Sequence, residues 1–402
     1  MQVRSIPLGG VLIVWIGVTA LIALNRGIDL LWGMTMLLLL ATVIAALLPS
    51  LQVRGVHVRR MDFPASAVVG ERSVIRYEVH AKGWLPRYGV EIHDNLAGEG
   101  SLAPTAFLTK VGRTRIHSFG WTPRQRGCWQ LREVNIQSRY PLGLTRASQR
   151  IDAGAQQIIV YPDFVRLTSL PVSNDAHPRF EQMISQRRGG RDEFFGVRQY
   201  TAGDEPRSIH WRASARLDAI VVKEFEHQQD RQLWIVLDLA ENQHAGRGAT
   251  GTVESMIRVA HSIAVKACED GIPVGLVYRV ADSLRHVPAG ADRATYHLIR
   301  DALARVNAHA QVPLARWLQR LQGQLPAGGT WVMFNLGGAD QRASLARVAT
   351  GRSATALFIE FDKASFAKGE PGVDARIRTQ NTSHYAVSTV ALGADVRQLF
   401  RI

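Results

Sequence analysis

The chain has 402 residues, 46% hydrophobic and 20% charged, with a formal net charge of +14 and two cysteines. That length fits a membrane anchor plus two soluble domains, and the composition excludes a disordered or fibrous chain. Cys128 and Cys268 have no C-x-x-C or C-x-x-H neighbours, which excludes a disulfide framework or a local zinc motif and fits a reducing compartment.

Two uncharged apolar runs, 6–24 and 30–48, open the chain. Each is long enough to cross ~30 Å of hydrocarbon as a helix, so residues 1–50 are predicted to form a transmembrane helical hairpin. Arg4 precedes the first run and Arg54, Arg59 and Arg60 follow the second, whereas Arg26 in the short connection is offset by Asp29. The positive-inside rule then predicts a two-span inner-membrane protein with both termini in the cytoplasm.

Residues 51–150 alternate apolar and polar positions over short stretches (53–58, 72–80, 88–93, 114–121, 128–138) punctuated by glycines, the pattern of a small β-sandwich-like domain. Residues 50–150 hold 16 Lys and Arg against 7 Asp and Glu. This excess next to the membrane predicts attraction to anionic inner-membrane lipid, with Arg54, Arg59 and Arg60 as lipid-facing basic residues. The arginines are scattered along strands without stacking aromatics, which argues against nucleic acid. Asp94 and Glu99 read as solvated loop carboxylates.

The connecting segment, 151–232, holds the densest motif, Gly189 to Glu226. A turn at Gly203-Asp204 leads into a predicted helix from about 204 to 217. Asp204 or Glu205 would accept its free amides, Pro206 suits its first turn, and Ile209, Trp211 and Ala213 are expected toward the body. A strand should follow over 221–225. Arg191, Glu193, Arg198, Asp204, Arg207, Trp211, Arg212 and Arg216 read either as an ion-paired network pinning the connection or as a partner-binding surface. Arg198 and Asp204 are expected to be structural, and Arg212 and Arg216 exposed.

From 233 to 402 strands and helices alternate. Strands are predicted at 233–239, 272–278, 331–336, 356–361 and 385–390, with helices at 253–268, 294–306, 315–321 and 340–348. Such alternation predicts a doubly wound, mostly parallel sheet whose ligand site lies beyond the C-terminal strand ends. Gly246-Arg247-Gly248-Ala249-Thr250-Gly251 matches the dinucleotide pattern but begins too far beyond its strand to turn a helix onto a pyrophosphate, so it reads as a glycine-rich loop. With no further nucleotide, metalloprotease or hydrolase motif, the sequence assigns no catalytic residue and no cofactor.

The motif Gly190-Arg191-Asp192-Glu193-Phe194-Phe195-Gly196-Val197-Arg198, with Tyr200, Gly203-Asp204, Pro206-Arg207, Ile209-His210-Trp211, Ala215-Arg216 and Val222-Lys223-Glu224-Phe225-Glu226, resembles the bacterial domain-of-unknown-function family 58. Arg126-Gly127, Ser138-Arg139-Tyr140-Pro141-Leu142-Gly143-Leu144 and Val160-Tyr161-Pro162 support the likeness; Gln199 departs from it, an acidic residue being usual there. The resemblance implies a membrane-anchored α/β protein with a von Willebrand factor A-like domain and a MoxR-type AAA+ ATPase as partner. A-like domains often hold Mg²⁺ on a D-x-S-x-S loop; here that loop reads Asp238-Leu239-Ala240-Glu241-Asn242, a degenerate version with both hydroxyls replaced, so metal binding is not expected. The expected function is a membrane-anchored scaffold or adaptor serving that ATPase or envelope-assembly clients. A hydrolase using Asp238 and Glu241 and an anionic-lipid surface sensor are the alternatives.

Overall fold

In the computed structural model the described residues are 2–5, 7–62, 64–83, 85–97, 105–112, 114–171, 192–201, 209–217, 219–227, 232–246, 248–280, 283–368, 377–381 and 385–400. The chain divides into two units, Met1–Pro162 and Asp163–Ile402, each described by itself.

In the first unit the strand β1 (Gln2–Ser5) precedes two helices, α1 (Pro7–Arg26) and α2 (Asp29–Val53). Only α2 is long and apolar enough by itself to cross a membrane among the described residues; α1 contributes a shorter apolar stretch, 10–26. Leucines on α2 stay exposed because no protein covers them, whereas Ala45, Pro49, Gln52 and Val53 are buried where the helix meets the β-structure. There Gln52 Oε1 accepts from the Tyr88 amide at 2.8 Å and the Ala45 carbonyl accepts from Thr145 Oγ1 at 2.7 Å. The helix therefore continues past residue 50 into the domain it carries.

Two sheets follow. The strands β2 (Val56–Asp62), β4 (Ser73–Ala81) and β7 (Arg115–Trp121) form one of three strands, in the order β2-β4-β7. The other runs β1-β9-β8-β5-β6, where β5 is Arg87–Ala97, β6 Thr105–Val111, β8 Gly127–Ser138 and β9 Thr145–Tyr161, with β3 (Ser66–Val68) also pairing β9. Alternating residues from both sheets, among them Ile75, Tyr77, Ile92, Leu131, Ile136 and Ile158, make one apolar core, as period-two patterning dictates. The boundary expected at 150 falls inside β9. Its opening, Thr145 to Asp152, is mostly polar and only Ala147 there is buried, so the apolar strand signature is concentrated in Ile158 to Val160.

Two expectations are corrected in this core. Arg60 does not face lipid, and Asp94 is not solvated: both side chains are fully buried and paired across the gap between the sheets. Arg60 Nη2 lies 2.6 Å from Asp94 Oδ1 and its Nε donates to Oδ2 at 2.8 Å, the bidentate geometry that suits guanidinium to carboxylate. Tyr77 donates its hydroxyl to the same Oδ2 at 2.7 Å, and Arg60 Nη1 donates to the Gly154 carbonyl. Burial, followed by the Asp94 charge, pushes the Tyr77 hydroxyl well above its ordinary pKa, so it stays a donor. Register shifts at Arg60/Asp62 in β2 and Asp94/Leu96 in β5 mark bulges on both strands that carry the pair. Arg54 and Arg59 remain exposed.

The second unit begins with an antiparallel hairpin of β10 (Asp192–Gln199) and β11 (Val221–His227), with α3 (Trp211–Leu217) between them. A seven-stranded sheet follows in the order β14-β13-β12-β15-β16-β18-β17. Its centre, β12 (Leu233–Val236), β13 (Val274–Val280), β15 (Thr330–Asn335), β16 (Thr355–Phe361) and β18 (Tyr385–Val390), is parallel; β14 (Ser283–Gly290) and β17 (Arg378–Asn381) are antiparallel edges. The central strands bury both faces, which is why they read as continuous apolar runs. The helices α4 (Thr252–Glu269), α5 (Arg293–Arg305), α6 (Leu314–Arg320), α7 (Gly338–Gly351) and α8 (Lys363–Lys368) accompany them. On α4, Met256, Ile257, Ala260, Ile263, Ala264 and Ala267 are buried at helical spacing and join the core made by Ile235, Leu276 and Phe334. Asp292 caps α5 by accepting from the Thr295 amide at 2.7 Å.

Removing either partner of the inter-sheet pair leaves a buried charge alone, so Arg60→Ala or Asp94→Ala is expected to cost ~3–5 kcal/mol, while the apolar replacement Arg60→Met with Asp94→Leu costs far less. Thermal melting of the purified chain checks this. Single variants that melt with the wild type would refute it.

Candidate functional site

The strand order reverses between β12 and β15, where doubly wound sheets open a crevice at their C-terminal ends. Asp238 stands there, two residues beyond β12 and completely buried. Its Oδ1 accepts from the Ala240 amide at 3.2 Å and its Oδ2 from Gln341 Nε2 at 2.7 Å; the Leu336 amide also donates to it. Gln341, from the first turn of α7, is itself held by Gln243, whose Nε2 donates to its Oε1 at 2.9 Å. A Cβ on Gly337 would stand 2.1 Å from that Oε1, so the glycine is what lets the Gln341 side chain lie over the carboxylate.

Burial pushes Asp238 up to about 6 against the pull of these hydrogen bonds and of Arg279. His244, behind the loop, faces the Asp238 carbonyl through Nε2 at 2.9 Å and Thr252 Oγ1 through Nδ1 at 3.0 Å; burial lowers its pKa to about 4, and the neutral ring can donate from Nε2 to the carbonyl. In front lies a cleft of about 490 Å³ lined by Gln243, Asn335, Gly337, Gly338, Glu360 and Lys363. Asn335 shapes its floor by donating to the Gly338 carbonyl at 3.0 Å and to Glu360 Oε1 at 2.5 Å, and Glu360 also pairs Arg342 at 2.8 Å.

This arrangement does not suit Mg²⁺. A hard octahedral cation needs convergent oxygen lone pairs, whereas both Asp238 oxygens already receive N–H donors and a Gln341 amide hydrogen points where a cation would approach. Nor does it join the two carboxylates weighed as a hydrolase pair. Glu241 and Asn242 are exposed on a short turn, and Glu241 Oε2 lies 3.5 Å from Gln311 Nε2. Among the described residues no group of three or more His, Cys, Asp or Glu converges as metal ligands. Gln341, Gln243 and His244 carried no motif; they act through positions that only the fold brings together. The glycine-rich loop has a packing role, since Gly246 adopts φ +74° and a Cβ there would meet the Phe366 carbonyl at 3.0 Å.

The second candidate surface is the hairpin with α3. Arg191, Asp204 and Arg207 lie outside the described residues. Glu193 and Arg198 fall on β10, opposite Glu226 and Val222 of β11. The helix expected from about 204 is seen from Trp211, where His210 and Ser214 strap it to the hairpin. The His210 amide donates to the Val221 carbonyl at 2.8 Å, and Ser214 Oγ accepts from the Val221 amide at 3.0 Å. Trp211 does not turn to the body: it is 67% exposed, because the straps fix the helix by its His210 and Ser214 side. Arg212 and Arg216 are exposed beside it, and Tyr200 and Ile220, joined by an amide-to-carbonyl bond of 2.9 Å, add exposed apolar area.

The family model described as "Protein of unknown function DUF58" matches residues 196–359, from β10 through β16. The chain carries a DUF58 region. It encloses both candidate surfaces, the Asp238 loop and the strapped helix. No match was found among the curated proteins. Among solved structures, a CARDB domain from Pyrococcus furiosus is similar at 15% identity, covering 26% of this chain and 94% of that one with a TM-score of 0.18. Cwp6 from Clostridium difficile is similar at 10% identity over 76% of this chain and 37% of that one, with a TM-score of 0.19.

Asp238 and His244 give the DUF58 region opposing pH dependences. Asp238 binds its proton more tightly when folded, so its contribution is present below pH ~4 and falls by about 3 kcal/mol as pH rises through 6. His244 resists protonation when folded, so its contribution is present above pH ~6.5 and falls by about 3 kcal/mol as pH drops through 4. The two oppose each other in the wild type. Melting temperature should therefore rise from pH 4.5 to 6.5 in Asp238→Asn and fall over the same window in His244→Gln; parallel profiles in the two variants would contradict both assignments.

Proposed function

We propose that this DUF58 protein is a membrane-anchored adaptor that presents a von Willebrand factor A-like domain to a MoxR-type AAA+ ATPase in the cytoplasm. The observation that carries the reading is the exposed Trp211 flanked by Arg212 and Arg216 on a helix held from behind. Trp and Arg are the residues that most often anchor protein interfaces, and leaving an indole in water forgoes roughly 1.5–3 kcal/mol that burial would supply. A mainly parallel sheet with reversed edges and its switch point at Asp238 agrees with the A-like reading. The capped Asp238 favours a binding role over hydrolysis.

The anchor in this reading is a hairpin of α1 and α2 in the inner membrane with both chain ends in the cytoplasm. The pairing of β1, just before α1, with β9, which follows α2 in the chain, supports it, since the two outer ends of the hairpin then lie on one side.

Two outcomes are expected. Trp211→Ala, or Arg212→Glu with Arg216→Glu, should leave melting within about 0.5 kcal/mol of wild type while weakening pull-down of the ATPase at least tenfold. Undiminished capture by all of these variants removes the surface from the proposal. A reporter fused after Ile402 should be active only in the cytoplasm; periplasmic activity would rule out both the topology and the partner.

A further inference from the structure

The Ser138-Arg139-Tyr140-Pro141-Leu142-Gly143-Leu144 run has no part in the reading above, and its place in the fold is unusual. Its backbone closes on itself, the Gly143 amide donating to the Arg139 carbonyl at 2.8 Å. The Tyr140 ring stacks on Tyr88 with centroids 5.7 Å apart. Gly89, at φ +58°, lets the loop approach so closely that a Cβ there would stand 3.0 Å from Tyr140 Cβ. A turn this firmly built nevertheless leaves Leu142 57% and Tyr140 41% exposed, with Pro141 and Arg139 also at the surface.

Two contacts fix the level of this turn against the helices. Thr145, the residue that follows it, donates its hydroxyl to the carbonyl of Ala45, within α2. Ala45 lies three residues inside the apolar run that ends at 48, or ~4–5 Å at 1.5 Å per residue. Thr145 also pairs with Ser5, at the foot of α1. The strand β1 runs toward α1 and β9 runs antiparallel to it, away from the helices, so the residues that precede Thr145 lie on the helix side of the sheet.

We infer that the 139–144 turn is a wedge that enters the headgroup and upper acyl region of an anionic bilayer, with Leu142 and Tyr140 inserted and Arg139 at phosphate level. The placement rests on α2 being a membrane span. Tyrosine at the interface and leucine just below it are the residues that this depth selects, and an arginine beside them adds attraction to anionic lipid. The wedge gives the sandwich a second attachment beside its covalent one, and so sets its tilt on the membrane.

The test uses the full chain in vesicles of phosphatidylcholine and phosphatidylglycerol, with Cys128→Ser and Cys268→Ser as background and single spin labels at Leu142→Cys, Leu47→Cys and Val74→Cys. Leu47 is an exposed residue within the span, and Val74 an exposed residue on β4 far along the strand from its helix-side end. The expected result is that Leu142→Cys, like Leu47→Cys, collides with dissolved oxygen and is protected from a water-soluble nickel chelate, while Val74→Cys shows the reverse. Tyr140→Cys, labelled in the same way, should agree with Leu142→Cys, and guards against a local disturbance by one label. A Leu142 label as accessible to nickel as Val74, beside a protected Leu47 label, would overturn the wedge and leave the span standing. A nickel-accessible Leu47 label would overturn the wedge and the span together.

Discussion

A charge removed from water must be answered by fixed groups, and two buried aspartates show two answers. Asp94 is answered by a full opposite charge, Arg60, with Tyr77 completing its hydrogen bonds. Because Arg60 and Tyr77 come from one sheet and Asp94 from the other, the pair dictates how the two sheets are aligned, which apolar contacts alone do not. The hydrogen-bond partners of Asp238 are all neutral, the amides of Ala240 and Leu336 and the side chain of Gln341, with Arg279 adding a charge that makes no bond to it. Burial outweighs these groups, so Asp238 holds a proton more readily than an ordinary carboxylate. The first arrangement fixes structure, and the second leaves a group whose charge responds to its surroundings.

The same contrast decides what was legible beforehand. Strands such as Trp331–Asn335 and helices such as Thr252–Glu269 declare themselves because burial imposes a continuous or 3.6-residue apolar pattern. Edge strands do not. Ser283–Gly290 leaves about half its positions exposed, Arg378–Asn381 is composed of polar residues alone, and β9 opens with a basic, polar half. The burial of Arg60 is hidden in the sequence for a related reason. An arginine beside a membrane span is most economically read as facing lipid, and its partner Asp94 is 34 positions away with nothing local to couple them.

At the candidate site, residue types single out Asp238, but not the group that lies over its carboxylate. The answer, Gln341 in the first turn of α7, comes from a segment 103 positions along the chain and depends on Gly337 for clearance. The motif around Trp211 was visible as dense and amphipathic, yet the facing of its helix follows from Ser214 and His210, whose hydrogen bonds to Val221 do not depend on hydrophobic pattern.

The pairing of β1 with β9 carries a consequence for biogenesis. Both helices and most of the sandwich separate β1 from β9 in the chain, so β1 stays unpaired until one of the last strands of its unit is made. Once Thr145 to Ser148 emerge and zip onto Gln2 to Ser5, the segment before α1 is stitched into a folded sheet. From then on the strand before α1 cannot leave the sandwich without unfolding that edge. Folding of the sandwich thereby acts as a latch, holding the outer ends of α1 and α2 on one side by hydrogen bonds between strands far apart in the chain.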